Sequence, residues 1–258
     1  MLTSLAVLAG LLLGSFTNVL IARIPIGEQW IAGSSRCPSC RYAIAWFDNI
    51  PVLSWLALRG RCRNCRARIS VRYPVTELIV AGLVGAVTWV YGLSILTVVL
   101  AVLAVFTVAL VAIDFETMRL PTPLVWSALG TAMFGLAVDA TVAQVWLPYG
   151  RAVLGAMILG GAYFVLWFAK PNGLGFGDVR LAVVLGFVSA YLGWAELAVT
   201  GIAGPVLGAA GAVVVVWRAR RVSGVKMPFG PWMIVAFWLG VIVGDLIAET
   251  YVGWVASW

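Results

Sequence analysis

The chain has 258 residues, 63% of them hydrophobic and only 10% charged, where a soluble domain carries about 25% charged residues. That composition excludes an ordinary water-soluble globule and makes lipid the main solvent. A net charge of +7 could suit nucleic acid, but the cations are distributed as membrane topology would place them, and no nucleic-acid partner is expected.

Taken in chain order, hydrophobic runs of roughly 17–25 residues, the length a membrane helix needs, predict an all-α polytopic membrane protein with about eight transmembrane helices. The runs are Leu2–Ile21, Val75–Tyr91, Ser94–Ile113, Leu124–Val138, Ala152–Ala169, Val179–Leu192, Ala195–Trp217 and Phe229–Ile247, the sixth being short. The first run lacks a basic n-region, because no Lys or Arg precedes Arg23, and it lacks a small-residue cleavage site, so it reads as a retained helix and not a signal peptide. This divides the chain into a first helix (1–22), a small water-exposed insertion carrying four cysteines (23–74) and a membrane domain (75–258).

Nine arginines fall between Arg23 and Arg72, with further cations at Arg119, Lys170, Arg180, Arg218, Arg220, Arg221 and Lys226. Eight spans with the N-terminus outside put all of these on one side and only Arg151 on the other. The positive-inside rule makes that side cytoplasmic.

The chain has no histidine. That removes Ser-His-Asp, Cys-His and HExxH chemistry and leaves carboxylates, cysteines or a metal held by them. The four cysteines form Cys37-Pro-Ser-Cys40 and Cys62-Arg-Asn-Cys65, separated by 21 residues, a spacing suited to a tetrahedral all-thiolate zinc site. Two disulfides or a redox role are the alternatives. The arginine-rich surroundings argue for the reducing cytoplasmic face, and four thiolates leave no open position for water, so the Zn²⁺ expected at Cys37, Cys40, Cys62 and Cys65 is structural.

Among the few carboxylates, an ionisable group at a membrane span is a functional candidate by default. Asp114 ends the third span in Ala112-Ile113-Asp114-Phe115, and Asp178 starts the sixth after Gly175-Phe176-Gly177. The arginine-based topology puts both at similar depth on one side. Two carboxylates sharing a partly desolvated space titrate as a unit. One can take a proton from an attacking water while the other donates to a peptide carbonyl and then to the leaving amine. Helix capping explains either residue alone; the pairing favours catalysis.

The motifs resemble, in order and over nearly the whole chain, the type IV prepilin peptidase family. The resemblance is carried by Gly14-Ser15-Phe16-Thr17-Asn18-Val19 with Arg23-Ile24-Pro25, by the two cysteine pairs and Asp48–Trp55, by Leu58–Cys62 and Arg72–Glu77, by Asp114 with Leu120-Pro121, by Gly175–Asp178, and by Pro228-Phe229-Gly230-Pro231. It implies an intramembrane aspartyl protease of the bacterial inner membrane, with Asp114 and Asp178 catalytic. Its substrates would be prepilins and pseudopilins, whose basic leader is cut after a glycine at the cytoplasmic face. With the cysteine module it also implies N-methylation of the new terminal residue from S-adenosylmethionine, without identifying the residues that hold the donor. Thr122 stands where the family usually has Asp.

Two readings from other classes compete: a zinc-stabilised transporter or channel using Asp114 and Asp178 for ion or proton passage, and a scaffold whose basic loop binds anionic lipid. Glu77 is either a polar cap or part of methyl transfer, and Asn18 either orients a loop or bonds between helices. Asp139, Glu196, Asp245 and Glu249 are expected at the outer interface, and the tryptophans in an aromatic belt.

Overall fold

A computed structural model describes residues 1–30, 35–169, 173–219 and 227–255. The topological cations Lys170, Arg220, Arg221 and Lys226 therefore lie outside the described residues. Among the described residues the fold is all-helical, with two isolated β-bridges and no strand. The helices are α1 (Leu2–Arg23), α2 (Leu53–Ala57), α3 (Arg72–Tyr91), α4 (Ile95–Thr117), α5 (Thr122–Ala143), α6 (Leu147–Ala169), α7 (Phe176–Leu192), α8 (Trp194–Ala219) and α9 (Gly230–Val255). Seven of them are long and apolar enough to cross a membrane; α7, with 17 residues, is shorter. The chain is a multi-pass membrane protein.

The sixth predicted span begins at Phe176, ahead of the expected Val179, so Asp178 lies on the helix and not before it. The cause is local. Gly175 takes the extended N-cap conformation and leaves the Gly-Asp step helical.

The chain forms two compact units, Met1–Ala112 and Ile113–Trp258, dividing within α4. In the first unit α1 lies on α3 with the backbones almost touching. A Cβ at Gly10 would fall 2.7 Å from the Ala81 Cα, and one at Gly14 would fall 2.6 Å from the Glu77 Cα. In lipid, where no hydrophobic force drives helix pairing, small residues that permit such approach hold helices together by dispersion contacts. At the far end of α3, Gly92 turns the chain toward α4 with φ 66°.

In the second unit α6 packs on α7 and α8 on α9. At the first of these contacts a Cβ on Gly186 would meet the Gly155 carbonyl oxygen at 2.5 Å. The short α7 also touches α5, α8 and α9, and twelve of its residues are buried, so it is the core of this unit. Its length follows from how its last turn is satisfied. Helices leave their final carbonyls without intrahelical partners. Here the Arg151 guanidinium donates to the Ala190, Tyr191 and Leu192 carbonyls at 2.5, 2.7 and 2.9 Å, so the last carbonyls of α7 find their partners on α6.

Among the acidic residues expected at the outer interface, Glu196 differs. It is only 2% exposed, because its side chain fills the space left by Gly193 and Gly244, where a Cβ would clash with it. Asp139 accepts a hydrogen bond from the Tyr191 hydroxyl at 2.7 Å, linking α5 to α7. Asp245 and Glu249 are exposed.

Candidate active site and cysteine module

Asp114 lies in the last turn of α4. The helix ends three residues later, where Met118 takes a left-handed φ of 52° while its N–H closes the turn onto the Asp114 carbonyl at 2.8 Å. The chain then runs through Leu120 and Pro121 into α5, with Pro123 in the first turn, where a missing N–H costs nothing. Asp178 lies in the first turn of α7, where the helix dipole favours negative charge.

Within the second unit the structure brings these two distant segments together. Asp114 is 4% and Asp178 8% exposed, and the Asp114 carboxylate is close enough for its charge to act on Asp178. Each accepts a backbone N–H from a glycine: Gly230 serves Asp114, and Gly175 donates to Asp178 Oδ2 at 3.1 Å. Leu120 wedges between the two glycine-lined walls. A Cβ on Gly177 would meet the Leu120 Cβ at 3.1 Å, and one on Gly230 would meet the Leu120 Cδ2 at 3.3 Å and the Asp114 Oδ2 at 2.8 Å. Any side chain at position 230 would push the carboxylate away. The capping role and the pairing therefore coexist at Asp178: Oδ2 caps the helix and the second oxygen remains for other work.

Two contributors were not assigned from sequence. Gly230 belongs to the quoted Pro-Phe-Gly-Pro motif, but only the fold shows that its N–H points at Asp114. Tyr163 of α6 is 4% exposed and lies within electrostatic range of Asp178, its ring 6.0 Å from that of Phe229. No motif marks it, since one tyrosine in a membrane helix carries no pattern.

Arg180 joins the starts of the two helices that flank the pair. Its guanidinium lies over the Phe176 ring, 5.2 Å from the centroid, and donates to the Thr122 hydroxyl. Thr122 thus keeps a polar link where the resembling family usually has a carboxylate. Thr122→Asp is expected to convert this link to an ion pair worth at most about 1 kcal/mol, read as a small rise in Tm of the detergent-solubilised protein.

The four cysteines meet in the first unit. All four Sγ atoms lie within 4.8 Å of one another, and Cys37 Sγ is 3.8 Å from Cys65 Sγ. Zn–S bonds of about 2.3 Å give a tetrahedral edge of about 3.8 Å, so the cluster is compatible with zinc, while an S–S bond of about 2.05 Å is far shorter than that separation. The two knuckles are near copies. Arg41 N–H donates to the Cys37 carbonyl at 2.9 Å and Arg66 N–H to the Cys62 carbonyl at 3.0 Å, with Arg41 at φ 59° and Arg66 at φ 61°. Backbone and side-chain N–H groups favour the thiolate at two of the four cysteines. The Tyr42 N–H, and after it the Asn64 side chain, lower the Cys40 thiol to about 6, and the Cys65 and Asn64 N–H groups lower that of Cys62. An Arg63–Asp48 pair at 2.6 Å braces the module.

A many-helix membrane fold with a buried carboxylate pair in one unit and a four-cysteine module in the other defines a class of multi-pass membrane enzymes. Residues 8–91 match the Bacterial Peptidase A24 N-terminal domain and residues 101–213 the Type IV leader peptidase family. The chain is 37% identical to a prepilin leader peptidase/N-methyltransferase of Pseudomonas putida over 95% of this chain and 91% of that protein. It is 35% identical to one of Stutzerimonas stutzeri over 95% and 92%, and 34% identical to one of Aeromonas salmonicida over 96% and 93%. It belongs to the type IV leader peptidase family. No solved structure matches it.

Proposed function

We propose that the chain removes the leader peptides of type IV prepilins and pseudopilins by aspartyl-dyad hydrolysis with Asp114 and Asp178. It then N-methylates the new terminal residue from S-adenosylmethionine. The observation that carries the first half is the burial of two carboxylates from α4 and α7 in one place, in a chain whose relatives along their whole length bear the peptidase name. Cleavage takes place at the cytoplasmic face of the inner membrane, on the side that the arginines mark.

The geometry supports the following chemistry. The dyad shares one proton. The ionised carboxylate takes a proton from water as the water oxygen attacks the scissile carbonyl, and the protonated one donates to the carbonyl oxygen and later to the leaving amine. The glycine N–H groups hold both carboxylates in register without spending their second oxygens. Leu120 and the surrounding apolar walls restrict bulk water. The four cysteines hold one structural Zn²⁺, which ties the two knuckles together and takes no part in the chemistry. S-adenosylmethionine, when bound, would supply an electrophilic methyl group to the new terminal amine.

The test is co-expression with a pseudopilin bearing a Gly-Phe junction. The expected result is a shortened product whose terminal phenylalanine carries a methyl group by mass spectrometry. An uncut precursor would overturn the peptidase reading; a cut but unmethylated product would overturn only the methyl-transfer half.

A further inference from the structure

We propose that a cavity of about 380 Å³ in the first unit, between the cytoplasmic ends of α1 and α3 and the cysteine module, is the binding site for the sulfonium methyl donor, with Glu77 and Asn18 as its deep polar anchors. The proposal rests on the methyl-transfer reading above and names the residues that reading leaves open.

The volume falls within the roughly 300–1,000 Å³ of ordinary small-molecule sites. Two buried polar residues of the lining offer acceptors. Asn18 is 5% exposed. Its Nδ2 donates to the Tyr73 carbonyl at 3.1 Å, while its Oδ1 is buried with no partner. Buried polar atoms in native proteins are almost always bonded, so this orphan acceptor calls for a donor from a ligand. Glu77 is 8% exposed; its Oε2 accepts the Val52 N–H at 2.7 Å. A carboxylate has about four acceptor sites, and one bond leaves most of that capacity turned to the cavity both residues line.

Val52 supplies an independent sign of function. It sits at φ 59°, ψ −49°, and the Leu53 N–H bonds to the Pro51 carbonyl at 2.5 Å. This is a γ-turn of the rare, strained hand, at a β-branched residue that disfavours positive φ. The Glu77 carboxylate holds that turn in place, and strain of this kind clusters at ligand sites.

The remaining walls fit a ligand with a flat apolar part and separated charges. Trp55 lines the cavity, its indole fixed by an Nε1–H bond to the Ile69 carbonyl at 3.2 Å, and offers a face for a base. Arg36 and Arg68 line the same cavity and are exposed, while Arg63, which also lines it, is held by Asp48. Acceptors at the bottom and guanidinium groups at the rim suit a molecule carrying a sulfonium at one place and, two methylenes away, a carboxylate beside an ammonium. A phosphate-bearing lipid headgroup would find only the rim satisfied and Asn18 Oδ1 still unpaired.

The test uses the full chain in phosphatidylethanolamine/phosphatidylglycerol nanodiscs, irradiated with radiolabelled S-adenosylmethionine, with the labelled peptides mapped by mass spectrometry. Labelling is expected within residues 15–77. Glu77→Gln is expected to weaken S-adenosylmethionine binding roughly tenfold or more, the worth of a bond to a charged group. It should weaken binding of the neutral-sulfur product S-adenosylhomocysteine less. If Glu77→Gln loses the module's zinc, Ile44→Trp, which fills the cavity from its other wall, is expected to abolish labelling. A protein that yields methylated product but is labelled outside 15–77 overturns the site and spares the methyl-transfer reading. An enzyme whose cut product is never methylated overturns both. Glu77→Gln with unchanged donor binding removes Glu77 from the site.

Discussion

Asp114→Asn and Asp178→Asn are each expected to lower leader cleavage by at least about 10²–10⁴-fold, the scale of a lost general acid or base, in a reconstituted assay with a pilin-like substrate. Asparagine is the sharp choice. Its carbonyl oxygen still accepts the Gly230 N–H in one variant and the Gly175 N–H in the other, so packing and capping survive while the exchangeable proton is lost. Both variants are expected to keep the wild-type Tm within a few degrees. The double variant is expected to be scarcely slower than either single one, because groups acting as a unit do not add. Cleavage at the wild-type rate by either single variant would show that the dyad is not the catalyst.

Removing the metal from the cysteine module is expected to have the second-largest effect. Metal analysis should give about one zinc per chain, and Cys62→Ser should bring it close to zero. Among the described residues the segment around the knuckles has no strand and only short helical turns, so the metal is expected to be its strongest single cross-link. Structural zinc contributes on the order of 10–16 kcal/mol in small modules at neutral pH, more than the folding free energy of most domains. The measured outcome is limited proteolysis: Cys62→Ser or chelated protein should be cut rapidly between residues 35 and 70, with the membrane helices left intact. A chelator-treated protein whose module stays resistant would show that metal does not hold it.

The sequence was readable where the physics is local. Hydrophobic length located every long helix, because bilayer thickness sets it directly. Two CxxC knuckles foretold a cluster, because each fixes its own turn and only the distance between them was left to the fold. The carboxylates could be singled out because charge is so scarce in the membrane part. What remained hidden depends on contacts between remote segments. Nothing local in Gly230 says that its N–H meets a carboxylate more than a hundred positions earlier. Nothing in Arg151 says that it caps α7, and the arginine-based topology accounts for it equally well by expecting it alone on the outer side. The γ-turn at Val52 was invisible for another reason: valine is a poor residue for that backbone, so propensity pointed the wrong way, as it often does where strain serves a site.

The Gly155–Gly186 contact has a mechanical corollary. With main chains of α6 and α7 in direct touch, neither helix can slide without a steric collision, so Asp178 is mounted on an anvil. Asp114 sits on the final turn of a helix that breaks at Met118, with the amide of α9's first residue against its carboxylate. If a substrate strand is admitted between the two acids, the yielding partner is the Asp114 limb, and spectroscopic labels near Met118 should register the event while labels on α7 stay silent.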